Sequence, residues 1–326
     1  MSTKSRILTV VGIALVVGTI LYITGIGKVG SPHVSVSAEA IIEHPFGLPF
    51  NITNSLLTTW VVMLILIILS AVATSKLRSG NAQALVEPRG SQNLMELVVE
   101  QLYNVMEGVS PKFVGRFFVL VATIFFLVLP SNWSGLIPGV GSIGICHTPA
   151  EGGEHGALSA PTIASASPVW SAAPTYAAAD ACAAGEVLHP FFRAPSADLN
   201  LTLALALISF LVTEFWGFRT LGIGYLGKFF NFKNGPIQFL VGLIELISEF
   251  ARIISFTFRL FGNIFAGEVV LLVMAFLFPV ILPLPFYGLE LFVGFIQAFV
   301  FAMLTMAFID MAAESHGDHG DHGHAH

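Results

Sequence analysis

Residues 236–278 read PIQFLVGLIELISEFARIISFTFRLFGNIFAGEVVLLVMAFLF. Pro236 is a good helix start, because its missing N–H is one that a first helical turn leaves unpaired anyway. No proline follows, and no turn chemistry interrupts residues 243 to 260. At 1.5 Å per residue a helix of this length reaches ~63 Å, twice the ~30 Å hydrocarbon core of a bilayer. It cannot stand upright in one span. The sequence therefore predicts one long helix lying steeply tilted within a membrane, in preference to two short spans with a sharp turn.

Arg259 sits in the middle of this run. A guanidinium stays charged at any working pH, and placing one at membrane depth costs at least ~2.5–3.5 kcal/mol. Such a side chain faces a partner charge or a water-filled path. Glu245, Glu249, Arg252, Ser255, Arg259 and Asn263 recur every three or four residues and form one stripe. Glu268 comes nine residues after Arg259 and points roughly the opposite way. On the following helix Glu290 and Gln297 are seven apart and share a face. Ionisable groups at depth mark ion or proton paths. Arg252 has a second reading, a local pair with Glu249 or Glu245, and for Asn263 and Gln297 interhelical glue is an alternative.

Composition agrees with a membrane setting. Of 326 residues, 55% are hydrophobic and only 10% charged, against about 25% charged in soluble domains. Net charge is −6 and Phe numbers 29. No basic stripe with interleaved aromatics occurs, so nucleic acid is not expected as a partner.

Outward from the long helix, residues 1–27 hold an extra apolar segment, Ile7 to Ile26, behind Lys4 and Arg6. It reads as a membrane helix or signal anchor, since a cleaved signal core is shorter, about 7–15 residues. Residues 28–55 connect it to the spans of 56–138, predicted at 56–74 and 117–136. Between these, residues 91–109 form an amphipathic segment expected on the membrane surface. Its Glu96, Glu100 and Glu107 share one face, while Leu94, Val98, Leu102, Val105 and Val109 lie away from it. Residues 139–198 are an Ala/Ser/Pro-rich loop without helical or strand period. It holds both cysteines, Cys146 and Cys182, whose pairing or separation the sequence leaves open. Residues 199–314 form the core: a span at 199–218, the long helix, a turn of Pro279, Pro283 and Pro285, and a last helix from about Tyr287 to Ala313. Residues 315–326 are a His-rich tail, read as solvated rather than metal-binding, because its glycines fix no geometry. The fold class is all-α and polytopic, with about six membrane helices, a long C-terminal hairpin and one surface helix.

Lys4, Arg6, Lys76, Arg78, Arg89, Lys112, Arg116, Arg219, Lys228 and Lys233 all fall on one side of this arrangement, with only Lys28 and Arg193 opposite. The positive-inside rule places the N-terminus and amphipathic segment inside and the loop outside. The C-terminus is then cytoplasmic. No phosphate loop, nucleophile triad or thiol pair appears, so no catalysis, metal or other cofactor is expected of this chain.

Several blocks together resemble subunit a of the rotary F-type ATP synthase. Arg259-Leu-Phe-Gly-Asn263-Ile-Phe-Ala-Gly-Glu268 looks like that family's signature, and Gln297-Ala-Phe-Val-Phe301 like its second block. Pro195-Ser-Ala-Asp198-Leu-Asn200 resembles the opening of its preceding span, and Glu245 stands where the family carries an acid. The resemblance covers about residues 40 to 314. It implies a non-catalytic stator subunit in an energy-coupling membrane, most readily the bacterial inner membrane. The expected partners are a c-subunit ring, peripheral-stalk b subunits, the remaining ATP synthase subunits and the lipid bilayer. It further implies that Arg259 faces the ring. Glu268, Glu290, Asn263 and Gln297 would line an outer half-channel with Asp198 and Asn200 at its mouth, and Glu245 and Ser255 an inner one. Acids at both 268 and 290 depart from many relatives. A stand-alone ion-coupled transporter is the alternative, but it predicts internal repeats, and none is evident. A purely structural membrane anchor is a further alternative, but it would not need Arg259 or the glutamates at depth.

Overall fold

A computed structural model describes residues 37–42, 51–78, 90–137, 140–147, 168–170, 187–225, 236–277 and 283–313. Its helices are α1 (Asn54–Arg78), α2 (Ser91–Val109), α3 (Val114–Ser134), α4 (Leu199–Leu221), α5 (Pro236–Leu277) and α6 (Pro283–Ala313). All but α2 are long and apolar enough to cross a membrane. The fold is thus the expected all-α polytopic membrane protein. The N-terminal segment of residues 7–26 and the His-rich tail lie outside the described residues.

Helices follow from the medium. Hydrocarbon offers no hydrogen bonds, so each spanning segment must pair its own backbone. The same medium explains the large apolar residues turned outward, such as Leu64, Ile67 and Val72 on α1, each more than half exposed. In water such a surface would drive association; against acyl chains it is at home.

The 42 residues of α5 form one unbroken helix, as its length and uninterrupted pattern predict. The last helix differs at its start. It begins at Pro283 rather than near Tyr287, so Pro283 and Pro285 lie in its first turn, where a missing N–H breaks no hydrogen bond. α3 contains Pro130 within its length. α2 has the predicted bounds, but its packed side is Leu102 and Met106, whereas Leu94, Val105 and Val109 point outward.

Short strands appear where none was expected. β1 (Ala40–Ile42) and β2 (Ile52–Thr53) pair antiparallel. In the Ala/Ser/Pro-rich loop, β3 (Ile143–His147) runs between β4 (Pro168–Trp170) and β5 (Val187–Pro190), antiparallel to both. Strands this short carry too few residues for a legible period of two. Cys146 lies on β3, and Cys182 outside the described residues.

The chain divides into two compact units. One comprises residues 1–65, 128–199 and 261–296, the other 66–127, 200–260 and 297–326. In the first, α3 is clamped to α6 by side chains that reach its backbone: Asn132 Nδ2 donates to Gly294 O at 2.7 Å and Trp133 Nε1 to Leu291 O at 3.0 Å. Gly294 permits the approach, since a Cβ there would lie 3.2 Å from Asn132 Cβ. In the second unit, Phe256 packs on Phe301 and Phe308, with ring centroids 4.8 and 5.4 Å away. Buried Ser209 and Thr305 join α4 to α6 at 2.9 Å. Thr305 donates its proton to Phe301 O, so Ser209 is the donor between them.

A double-mutant cycle of Ser209→Ala and Thr305→Ala tests that link. Reversible unfolding in detergent should give a coupling energy of about 0.6 kcal/mol, the usual size for hydrogen bonds between membrane helices. Strict additivity of the two substitutions would show that the bond contributes nothing.

Candidate functional site

In the first unit, which holds the acids Glu268 on α5 and Glu290 on α6, Glu268 has beside it a cation that the sequence pattern did not single out. Arg193, 8% exposed, lies 3.5 Å from Glu268 through its Nη2. Its Nη1 donates to Ser37 O at 3.0 Å, its backbone N–H to Thr58 Oγ1 at 3.1 Å, and its guanidinium lies 6.0 Å over the ring of Phe265. A local fold holds it there. Residues 195–197 form a 3₁₀ turn begun by Pro195, fully packed against the protein. The preceding Ala194 sits so close to Gly135 that a Cβ at 135 would be 2.7 Å from Ala194 Cβ. Arg193 is thereby held buried beside an acid, which partly offsets the cost of burying it. Glu268 keeps 43% of its side chain exposed and stays accessible.

Glu290 is buried, and its carboxylate lies directly against Gly267. Only glycine fits at 267 without moving it. The turn of α6 that carries Glu290 is the one held by Asn132 and Trp133. Asp198 is also buried and accepts a hydrogen bond from Ser55 Oγ at the start of α1. Asn54 ties the same helix start to Pro190 O at 3.4 Å. Asn200 is exposed in the first turn of α4, and Asn263 is exposed on α5. Glu268 and Asp198 therefore have polar partners and Glu290 is packed against Gly267, whereas Asn200 and Asn263 are exposed.

In the second unit the predicted polar stripe of α5 divides. Glu249 is buried and pairs with Arg252 at 2.7 Å, and the Arg252 guanidinium stacks 4.1 Å over Phe308. Of the two readings left open for Arg252, the structure shows the local pair, with Glu249. Ser255 and Arg259 instead point outward, Glu245 is half-buried and Gln297 on α6 is half-buried. The physical reason is angular: residues three and four apart drift around a helix of 3.6 residues per turn. One edge of the stripe therefore meets α6 while the other faces out. Among the described residues Arg259 has no acid within ion-pair distance; its guanidinium lies 5.9 Å over the ring of Phe256. Beside it, a Cβ on Gly262 would meet nothing within 4 Å.

Two groups escaped the sequence reading. Arg193 is far from Glu268 along the chain, and its one legible signal was its isolation as a cation on the outer side. Glu214 on α4, whose Oε2 accepts from Tyr225 at 3.0 Å, was hidden because a single acid inside an apolar span has no period. Among the described residues no group of three or more His, Cys, Asp or Glu is placed to hold a metal.

The family described as ATP synthase A chain matches residues 56–310. Among similar proteins, ATP synthase subunit a of Citrifermentans bemidjiense is 31% identical over 87% of this chain and 97% of its own length. ATP synthase subunit a 2 of Syntrophotalea carbinolica is 33% identical over 86% and 92%. ATP synthase subunit a of Gloeobacter violaceus is 32% identical over 82% and 86%.

Gly267→Ala tests the frame around Glu290. The added methyl must displace the Glu290 carboxylate, the movable end of its side chain, so the cost falls toward the lower end of the ~1–3 kcal/mol typical of overpacking. Gly108→Ala on α2, where nothing lies within 4 Å, shares the gain in helix propensity without the clash. In thermal unfolding of the purified protein the first variant should be the less stable of the two; equal stability would remove the contact.

Proposed function

The chain belongs to the ATP synthase subunit a family, and from that premise we propose that it is the ion-conducting stator subunit of an F-type ATP synthase. It provides two half-channels that load and unload protons on the carboxylates of a c-subunit ring, so that proton flow drives rotation and ATP synthesis. It works beside peripheral-stalk b subunits and the rest of the complex in a bacterial inner membrane, with its C-terminus cytoplasmic, and is not itself catalytic.

One observation carries this reading: the guanidinium of Arg259 is exposed on the outward face of a membrane-length helix, with no acid partner among the described residues. A permanent charge at depth needs a counter-charge, and a carboxylate from another chain supplies one. Ser255, Ala251 and Ala266 are exposed nearby, small residues of the kind that let another helix approach closely.

The chemistry follows from magnitude. An arginine ~4 Å from a carboxylate at an effective dielectric near 20 contributes about 4 kcal/mol. That equals about 3 pKa units, enough to remove the proton from an acid that lipid otherwise keeps neutral. Passing Arg259 therefore deprotonates each ring carboxylate, and its fixed charge separates the two half-channels. Lysine could lose its own proton when buried and leak; arginine does not. Glu268 and Glu290, with Asn263 and Gln297, form the outer half-channel, and Asp198 and Asn200 its mouth. Arg193 holds a positive charge beside Glu268. Glu245 and Ser255 belong to the inner half-channel. Each proton crossing 100 mV supplies about 2.3 kcal/mol.

In membrane vesicles, Arg259→Ala should abolish coupled ATP synthesis while the complex stays assembled; normal synthesis would sink the reading. Glu268→Gln and Glu290→Gln should each slow proton translocation by about a hundredfold or more, the low end for a positioned proton carrier. If neither alters the flux, the outer-channel assignment is wrong.

A further inference from the structure

Where α3 begins and α4 ends, the second unit carries cations that no role above uses. Arg116, in the first turn of α3, lies 4.7 Å over the ring of Trp216 near the end of α4. Trp216 is buried, and the rings of Phe113 and Phe117 meet it edge-on at 5.9 and 4.9 Å. The guanidinium thus rests on a fixed platform while staying exposed. A ring attracts a cation but offers no oxygen, so the five N–H donors of Arg116 find no acceptor there. Arg219 stands one turn beyond Trp216, and Lys112 precedes Arg116 by about one turn; both are exposed. Among the described residues none of these three cations forms an ion pair.

Toward the membrane interior each arginine heads an apolar stripe. On α3, Val119 follows Arg116 by one turn; on α4, Leu211 and Phe215 precede Arg219 at intervals of one turn. Each set therefore shares a helix face, and all three apolar side chains are more than 60% exposed. The contact of Arg116 with Trp216 sets the two helix ends at one level, and both helices are membrane-length. The cations accordingly lie where hydrocarbon gives way to head groups, the level that tryptophan also favours. A molecule with a negative head and apolar chains beneath it matches both parts of this surface. A soluble anion matches only the first.

We propose that Arg116, Arg219 and Lys112 form a binding site for the phosphate of an anionic phospholipid, whose acyl chains lie along Val119 on α3 and Leu211 and Phe215 on α4. Arg116 is the anchor. Its planar fork suits two phosphate oxygens at once, and the Trp216 platform lowers the ordering cost that a free arginine would carry. Arg219 and Lys112 add positive charge at the same level, of the kind that draws anionic lipid to the ends of membrane helices. A zwitterionic lipid brings its own ammonium beside the phosphate and gains less. The bound lipid bridges the ends of α3 and α4. This site needs only the membrane placement of the two helices and stands apart from the proton-channel reading.

The test is a lipid titration of the full-length chain in non-ionic detergent, read by native mass spectrometry. Dioleoylphosphatidylglycerol is the probe, with dioleoylphosphatidylcholine and inorganic phosphate as parallel arms. The protein should hold one phosphatidylglycerol more tightly than any further lipid, and phosphatidylcholine less tightly. Arg116→Gln should weaken that first binding by about tenfold or more, the worth of one charge-assisted hydrogen bond. Arg116→Lys keeps the charge but not the fork and should lose less. Arg219→Gln leaves the Trp216 platform intact and should weaken binding by about threefold, which decides the question even if Arg116→Gln does not fold. Equal retention of phosphatidylglycerol by all these proteins overturns the site and leaves an ordinary lipid shell. Competition by inorganic phosphate as strong as that by added lipid overturns the lipid assignment in favour of a soluble anion. The same phosphatidylglycerol should be recovered with the assembled complex; its absence there means that another subunit covers this face, and overturns the proposal.

Discussion

The cost of an ionised side chain in hydrocarbon organises this protein. Each charge on the long helix α5 has to be answered by an opposite charge, by water or by another chain, and the described residues answer them differently. Glu249 and Arg252 neutralise one another at 2.7 Å. Glu268 lies beside Arg193, brought in by a segment that precedes the next span. Arg259 is answered by nothing among the described residues and lies exposed. The helix answers Glu249, Arg252 and Glu268 within the chain and presents Arg259 outward, where a partner's charge can meet it.

The supporting structure serves that arrangement. Asn132 and Trp133 hold the turn of α6 beside Glu290, Gly267 leaves space for its carboxylate, and Gly135 lets the segment carrying Arg193 pack tightly. Gly217 does the same for Tyr225. Gly267 and Gly217 sit where a backbone comes close to a polar side chain, and Gly135 where it meets Ala194, next to Arg193. Hydroxyls such as Ser209 and Thr305 add modest, directional links between helices whose apolar faces cannot choose a register by hydrophobicity alone.

Much of this was legible in the sequence, for identifiable reasons. The unbroken α5 followed from a proline start and an apolar pattern too long for one upright span. Helical spacing offered the pairing of Arg252 with Glu249 or Glu245 as one of two readings, and the structure shows the Glu249 pair. Local signals also misled. Pro283 and Pro285 read as a turn, yet they open α6. The strands of the Ala/Ser/Pro-rich loop are too short to show a period. Arg193 and the Glu214–Tyr225 pair depend on contacts between residues far apart in the chain or on a lone acid in a span, and periodicity carries no information about either. The polar stripe was read as one surface, and the structure separates its buried edge from its exposed one.

The central claim is that Arg259 faces carboxylates of another chain's helices. The most direct measurement is disulfide trapping in the assembled complex: Ser255→Cys, one turn from Arg259, paired with cysteines placed one turn from the c-subunit carboxylate, in a background without Cys146 and Cys182. A disulfide forms only when Cα atoms come within about 7 Å. The account predicts a cross-linked product that requires both cysteines and that halts rotation-coupled ATP hydrolysis until it is reduced. Absence of any such product in an assembled, active complex, for every cysteine position around the carboxylate, would contradict it.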